Sequence, residues 1–296
     1  MNTYALTAEF DYLKPQTLKE ALGILAEKKN VKIYAGGTDL IVKLKVGAPV
    51  GMDIMLDVNA IPELFGVTDT ADSLVIAAAE KIAVLEKDTT IRKDYTALYE
   101  AFYAMASISV RNLATLGGNV CNASPVADAA CPVLCYDGSF TLESLRDGKR
   151  TVKADAFFVS PGVTVIREDE ILTHIVLPHP KENTGAAYHK LSRVKSDIAK
   201  LSVCVVLRRE RDSIASCRIS MAAVAAKPLL LREISDSLIG KVMTRQLLEK
   251  TAEEVAAFIR PIDDNRTTAE YRSDVSRVIA RDTIEEAWKR TGGEIK

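Results

Sequence analysis

The sequence predicts an α+β protein of two domains. Its 296 residues exceed the usual length of a single domain, strand-like and helix-like patterns alternate in the first part, and the pattern changes near residue 180. We expect an N-terminal domain over residues 1–180, divided into subdomains of about 1–55 and 56–180. A C-terminal domain is expected over residues 181–296.

The first fifty residues predict a βαβ-like unit. Thr17 followed by Glu20 forms a capping box, and apolar residues at helical spacing follow it. Residues 31–34 predict a short strand that ends in the pair Gly36-Gly37, and residues 39–45 predict a helix. A strand, a glycine loop and a helix N-terminus in this order commonly bind anions.

The rest of the N-terminal domain predicts mixed elements. Residues 54–90 alternate short strands with turns, and residues 95–106 have the apolar spacing of a helix. Further strands are predicted around residues 140–142 and over 171–177, and residues 181–185 read as a linker.

The C-terminal domain has a different pattern. Residues 203–207 and 214–223 alternate in hydropathy around a polar turn at 211–213, which predicts an antiparallel hairpin. Two helices are predicted after it, near residues 245–259 and 271–290.

Charge and hydropathy narrow the function classes. The net charge is −1 with no basic stripe, so neither nucleic acid nor an anionic membrane surface is expected as a partner. No apolar run is long enough to span a bilayer. The N-terminal residues lack the basic and apolar regions of a signal peptide, so a cytoplasmic protein is expected.

The cysteines and histidines predict no metal site. The five cysteines include no CxxC pair and do not offer the four ligands of an iron–sulfur cluster. The three histidines follow no ligand spacing. We expect reduced, mostly buried cysteines, with Cys131 and Cys135 on a helix that has a proline in its first turn.

The segment from Ser109 to Asp128 has the strongest functional signal. We expect a loop here, whose glycine pair lets the backbone approach a ligand closely and whose hydroxyl and amide groups suit phosphate and ribityl oxygens. Asp128 would repel a phosphate, so it either accepts hydrogen bonds from sugar hydroxyls or caps the helix of Cys131. Gly36-Gly37 alone would be interpreted as a plain tight turn. Together with it, the segment suggests a large anionic ligand gripped from two sides. The first motif matches neither the Rossmann nor the Walker A pattern.

The two motifs, YAGGTDLI and SVRNLATLGGNVCNASPVADAACPVL, resemble those of the FAD-binding subunit of the xanthine dehydrogenase family of molybdenum hydroxylases. This family includes the flavoprotein subunits of bacterial xanthine, nicotinate and carbon monoxide dehydrogenases. The resemblance continues through EDEILTHIVLP and AYHKLSRVKSDIAKLSVCVVL over nearly the whole chain. It implies a two-subdomain FAD-binding domain of the vanillyl-alcohol-oxidase type, followed by a small C-terminal domain of antiparallel sheet and helices.

The resemblance also implies which residues bind the cofactor. The first motif would wrap the diphosphate and ADP side of FAD with Ile33, Tyr34, Ala35, Gly36, Gly37, Thr38, Asp39 and Leu40. The second would add Thr115, Gly117, Gly118, Asn119, Ser124 and Asp128. Leu172, Tyr188 and Lys190 match positions at the flavin. Without the resemblance, Lys190 would be interpreted as a surface lysine and Tyr188 as a core aromatic. Covalent attachment is not expected, because the first loop contains neither His nor Cys.

The implied activity is electron transfer within a complex. Partner subunits would contain molybdopterin and 2Fe-2S clusters, and the FAD would pass electron pairs to NAD or NADP. No catalytic acid or base is expected in this chain. An N-heterocycle, nicotinate or a purine such as xanthine, is the expected substrate of the complex. The alternatives are a stand-alone FAD-dependent oxidase, an aromatic acyl-CoA or CO-type dehydrogenase subunit, and a scaffold that has lost the flavin.

Overall fold

The computed structural model describes residues 8–296, which form three main β-sheets packed with helices. Residues 1–7, where no signal peptide is predicted, lie outside the described residues. The strands are β1 (Asp11–Leu13), β2 (Val31–Tyr34), β3 (Ile54–Asp57), β4 (Val67–Asp69), β5 (Ser73–Ala77), β6 (Ser139–Ser144), β7 (Gly148–Lys153), β8 (Phe158–Ser160), β9 (Val163–Thr164), β10 (Glu170–Pro178), β11 (Thr184–Leu191), β12 (Leu201–Glu210), β13 (Ser213–Ala222) and β14 (Leu229–Leu230). The helices are α1 (Leu18–Glu27), α2 (Leu40–Lys45), α3 (Ile82–Leu85), α4 (Thr89–Asp94), α5 (Thr96–Ala104), α6 (Ile108–Arg111), α7 (Leu116–Cys121), α8 (Ala130–Cys135), α9 (Arg232–Ser237), α10 (Arg245–Phe258) and α11 (Ala269–Arg290), with 3-10 turns at Pro62–Leu64 and Ala154–Ala156.

The first sheet is parallel, in the order β1-β3-β2. Helix α1 packs on it through buried Ala21, Leu22 and Leu25. The predicted cap at Thr17 is confirmed, because Thr17 Oγ1 accepts the N–H of Glu20. The reciprocal bond of the capping box is shifted by one residue, since the Glu20 carboxylate accepts the N–H of Gln16 and not that of Thr17. The predicted βαβ-like unit therefore forms, and β2 ends at the first glycine motif.

The second sheet is antiparallel, in the order β4-β5-β10-β6-β7, and forms the centre of the largest core with helices α3 to α8. The prediction of strands and turns alone over residues 54–90 is wrong, because α3 lies within this range and α4 begins at its end. Asp88 caps α4 by accepting the N–H of Ile91. Burial of Ile82, Leu85 and Ile91 stabilises two helices too short for a clear periodic signal.

The third sheet is antiparallel, in the order β11-β12-β13-β14, and includes the predicted hairpin as β12 and β13. Its two faces pack against two different hydrophobic cores. Tyr188 contributes to the core shared with α5 and α8, whereas Ala187 faces the core formed with α10 and α11. The prediction of a linker over 181–185 is wrong at its end, since Thr184 and Gly185 begin β11. Gly185 is needed there, because a Cβ would overlap the carbonyl oxygen of Ala287 on α11.

Burial of the cysteines agrees with the sequence. Cys131, Cys135, Cys204 and Cys217 are buried, Cys121 is partly buried, and all are free thiols. Within residues 8–296, no helix is both long and apolar enough to cross a membrane.

Candidate functional site

The two glycine motifs are adjacent in the fold. Gly36 packs against the backbone at Leu113 and Ala114 so closely that a Cβ would overlap the Leu113 carbonyl oxygen. Lys43 Nζ on α2 donates to Asn122 Oδ1 at 2.9 Å, just after α7. The motifs, 79 residues apart at this bond, therefore form neighbouring walls of one surface.

The first glycine motif presents a row of free backbone donors. The N–H groups of residues 36–40 donate to no atom of residues 8–296, and the first helical bond runs from Ile41 N–H to Gly37 O. Gly37 has a φ of +70°, which favours glycine. At the start of the loop, the carbonyl oxygen of Ala35 accepts a hydrogen bond from Asn59 Nδ2 at 2.8 Å. The bond from Asn59 thus fixes the start of the loop, while the N–H groups of the loop stay available to a ligand.

The second glycine motif forms helix α7 rather than a loop. Thr115 caps it, with Oγ1 accepting the Gly118 N–H at 3.0 Å. Gly117 is buried and donates its N–H to Ala78 O at 2.8 Å, where a Cβ would lie only 2.5 Å from that oxygen. Gly118 is exposed, and a Cβ there would approach only its own cap, Thr115 Oγ1, at 2.8 Å. The first glycine of the pair permits packing, and the second leaves open surface.

Two polar residues of the motif have local partners. Asn119 Oδ1 accepts the Ala129 N–H at 3.3 Å, and Ser124 Oγ accepts the Val126 N–H at 3.4 Å. These bonds shape the turn between α7 and α8. The Asn119 amide nitrogen, by contrast, has no acceptor among the residues that the structure describes, so it remains available as a donor.

Asp128 lies at the centre of a buried polar cluster. Its Oδ1 accepts the Tyr188 hydroxyl at 2.8 Å, and its Oδ2 lies 3.2 Å from Lys190 Nζ, which also donates to Ala104 O at 2.9 Å. Burial raises the pKa of Asp128, and the Lys190 charge opposes that shift. The alternative role of helix cap is wrong, because α8 begins at Ala130 with Ala129 at its N-cap and no side-chain bond there.

Tyr188 and Lys190 reach Asp128 because both lie on one face of β11. Residues at alternate positions of a strand share a face. Each side chain is almost fully buried, so the interpretation of Lys190 as a surface lysine is wrong. Burial raises the pKa of Tyr188 well above its usual value, which keeps its hydroxyl protonated. Leu172 is buried on β10 in the same hydrophobic core as Tyr188, beside an irregularity in the pairing of β10 with β6.

Several polar residues around the site were not predicted from the sequence. Glu100 on α5 accepts the Tyr188 N–H at 2.8 Å and pairs with Arg290 at 2.7 Å, which ties β11 to α5 and α11. Asn59 and Lys81 form a second group beside Ala35, at the start of the first glycine loop. Charged and amide side chains usually lie on the surface, so no local pattern could have indicated their contacts.

In a comparison with known proteins, two family models match this chain. The model described as the FAD binding domain in molybdopterin dehydrogenase matches residues 8–180. The chain belongs to the FAD-binding subunits of the molybdenum hydroxylases. A second model, the CO dehydrogenase flavoprotein C-terminal domain, matches residues 186–287.

Individual relatives cover nearly the whole molecule. The chain is 30% identical to the carbon monoxide dehydrogenase medium chain of Hydrogenophaga pseudoflava, over 95% of this chain and 98% of the relative. It is also 30% identical to the xanthine dehydrogenase FAD-binding subunit of Escherichia coli O157:H7, over 96% and 98%. A chain of the solved carbon monoxide dehydrogenase from H. pseudoflava superimposes with a TM-score of 0.91 at 29% identity, covering 96% and 98%. The predicted family, fold and FAD cofactor are confirmed.

Proposed function

We propose that this FAD subunit binds its cofactor non-covalently in the angle between the two glycine motifs. The supporting observation is the row of free N–H groups of residues 36–40 next to exposed Gly118. Backbone donors that point outward from a glycine loop stabilise phosphate charge, and a residue without a Cβ leaves room for a close approach. The donor set therefore fits a dinucleotide diphosphate.

The remaining predicted residues fit the rest of the cofactor. Residues 33–40 would surround the diphosphate and the ADP side, and Thr115 would hold α7 in position through its cap. The free amide nitrogen of Asn119 and the hydroxyl of Ser124 suit ribityl oxygens. The oxygens of Asp128 retain lone pairs beyond those used by Tyr188 and Lys190, so the carboxylate can also accept from a hydroxyl of the ligand. Leu172 would contribute apolar contact.

The protein supplies orientation and electrostatics. Bound FAD supplies the redox chemistry, which is the acceptance of single electrons and their release as a pair. The Tyr188 hydroxyl stays protonated and donates to Asp128, and Lys190 balances the carboxylate charge. These residues fix the local charge without exchanging protons, so no acid or base is assigned.

The proposed complex contains a molybdopterin-binding large subunit and a small 2Fe-2S subunit, with NAD or NADP as the electron acceptor. An N-heterocycle, nicotinate or a purine such as xanthine, is the proposed substrate. Similarity to the xanthine dehydrogenase FAD-binding subunit supports this choice. Carbon monoxide is a second candidate, because the identity to the carbon monoxide dehydrogenase medium chain is the same 30%.

The experiment is to purify the complex through a tag on this chain, identify the copurified polypeptides, and assay it with nicotinate, xanthine and carbon monoxide. The proposal predicts two partner subunits and NAD(P)-dependent oxidation of nicotinate or xanthine. Turnover of carbon monoxide alone would favour the second candidate. Rapid oxygen-dependent turnover by this chain without partners would contradict both and favour a stand-alone oxidase.

Two further aspects belong to the proposal. The domain division near residue 180 is supported by the family models, one of which ends at 180 and the other begins at 186. The subdomain boundary at about residue 55 is supported by the first parallel sheet, whose last strand along the chain ends at Asp57. The cytoplasm is the proposed location, supported by five free cysteine thiols.

A further inference from the structure

Lys81 lies between the two glycine motifs. Its neighbours in the chain pair with the second motif, through bonds from Ile82 N–H to Ala114 O at 2.9 Å and from Leu116 N–H to Glu80 O at 3.1 Å. This pairing sets Lys81 opposite Thr115, the cap of α7. The backbone of Lys81 is therefore fixed against the second motif.

The side chain of Lys81 reaches the first motif. Its Nζ donates to Asn59 Oδ1 at 2.9 Å, and Asn59 Nδ2 donates to Ala35 O at 2.8 Å, directly before Gly36. The ammonium group is therefore one side chain away from the loop with the free N–H groups. It lies at the junction of the two walls.

The charge of Lys81 is not neutralised by an ion pair. No carboxylate oxygen of residues 8–296 lies within 4.0 Å of its Nζ. The adjacent Glu80 is engaged elsewhere, accepting the N–H groups of Gly66 and of Lys81 itself. Partial burial lowers the pKa of Lys81, with Asp57 and Glu80 opposing the shift. The ammonium group has three donors and uses one on a neutral amide oxygen, so two remain for an anion.

The residues of the two glycine motifs that are assigned to the cofactor contain no cation for a diphosphate. Arg111, at the start of the second motif, is buried and paired with Glu86 at 2.8 Å. Residues 33–40 and 115–128 include no Lys or Arg, and they add the carboxylates of Asp39 and Asp128. A dinucleotide bound there would meet backbone dipoles but no full positive charge from the motifs. The partly buried ammonium group of Lys81, which has no ion-pair partner, supplies this positive charge beside the two motifs.

We propose that Lys81 is a further cofactor-binding residue, whose ammonium group pairs with the diphosphate of the FAD bound by the first glycine loop. This inference rests on the proposed binding mode. It assigns to Asn59 a positioning role, because that amide joins Lys81 to the loop. The ammonium group of Lys81 also makes a cation–π contact with Phe65, at 5.9 Å from the ring centroid, and Phe65 packs against the core beneath the first sheet.

The test measures the Kd of the full-length apoprotein for FAD by flavin fluorescence, at low and at high salt. Lys81→Met keeps the aliphatic stem and removes the charge. It should weaken FAD binding roughly 10- to 100-fold, the range for a lost charge-assisted hydrogen bond. The salt dependence of Kd should also become shallower. The matched control is Lys87→Met, an exposed lysine in the same segment, which should leave Kd unchanged.

The outcomes separate this inference from the proposed function. An unchanged Kd in Lys81→Met, with normal binding by the wild type, would overturn the role of Lys81 alone. A weaker Kd with unchanged salt dependence and a lower apoprotein melting temperature would also overturn it, by indicating a structural role. If the methionine variant does not fold, Lys81→Gln provides the same comparison while keeping a polar partner for Asn59. A wild-type apoprotein that binds no FAD would contradict the proposed function itself.

Discussion

Asp128→Ala should destabilise the apoprotein by about 3 kcal/mol, because it leaves the Lys190 ammonium group buried without its counter-charge. The two side chains are only 11% and 3% exposed. Breaking such a buried pair costs roughly 3–5 kcal/mol, and the bond that Lys190 keeps to Ala104 O supports the lower end. The Tyr188 hydroxyl loses its acceptor at the same time.

A double-mutant cycle tests the origin of this loss. Lys190→Met in the Asp128→Ala background removes the uncompensated charge, so the double variant should be more stable than the sum of the single effects by about 2 kcal/mol. Urea unfolding can be followed by the fluorescence of Trp288, which is the single tryptophan of the chain and is 1% exposed in the C-terminal core. Asp212→Ala, which breaks an exposed pair with Lys296, is the control.

Two results would refute the reasoning. One is an Asp128→Ala midpoint equal to that of Asp212→Ala. The other is strict additivity of the two single changes, which would show that Asp128 and Lys190 do not interact. From the sequence alone, a large loss of stability would have indicated helix capping by Asp128. The structure instead attributes the same loss to an ion pair between the first domain and β11.

Three more predictions follow from the glycines and from a buried carboxylate. Gly117→Ala should lower the free energy of unfolding by roughly 1–3 kcal/mol, because the added Cβ would lie 2.5 Å from the carbonyl oxygen of Ala78. The control is Gly23→Ala, which should not lower it, because a Cβ at Gly23 meets no atom within 4 Å. Equal melting temperatures of the two variants would contradict this prediction. Gly118→Val should abolish FAD binding, because the branched side chain occupies the open surface; stoichiometric FAD in the purified variant would disprove it. Burial raises the pKa of Glu170, but hydrogen bonds from Arg150 and from the backbone and side chain of Arg167 outweigh this and lower the pKa from 4.5 to about 2. Ionised Glu170 therefore contributes about 3 kcal/mol to the free energy of unfolding above pH 4.5, and this contribution is lost as the pH falls toward 2. The stability advantage over Glu170→Gln should therefore shrink across that interval, and parallel pH profiles would count against the argument.

Local signals predicted most of the regular structure. The capping box at Thr17 and the alternation in β12 and β13 act over a few residues, and both elements formed as expected. Helix α7 was missed because two adjacent glycines disfavour a helix. The Thr115 cap and the close packing of Gly117 on Ala78 override that preference, and neither contact is visible in the sequence.

The candidate site was predictable only where its residues are contiguous. The first glycine loop follows directly from a strand and a glycine pair. Asp128 and Lys190 are 62 residues apart, and only the resemblance to a family indicated that they belong to one site. Lys81 and Glu100 gave no signal, because their burial depends on the tertiary contacts of charged side chains with distant elements.

The most direct test of the account is the flavin content of the purified full-length chain. The chain should contain, or take up, equimolar FAD that shows the visible spectrum of an oxidised flavin and is released on acid denaturation. Flavin that stays attached to the denatured chain would contradict non-covalent binding. A folded chain that contains no flavin and takes up no added FAD would contradict the central claim that the two glycine motifs form a cofactor site.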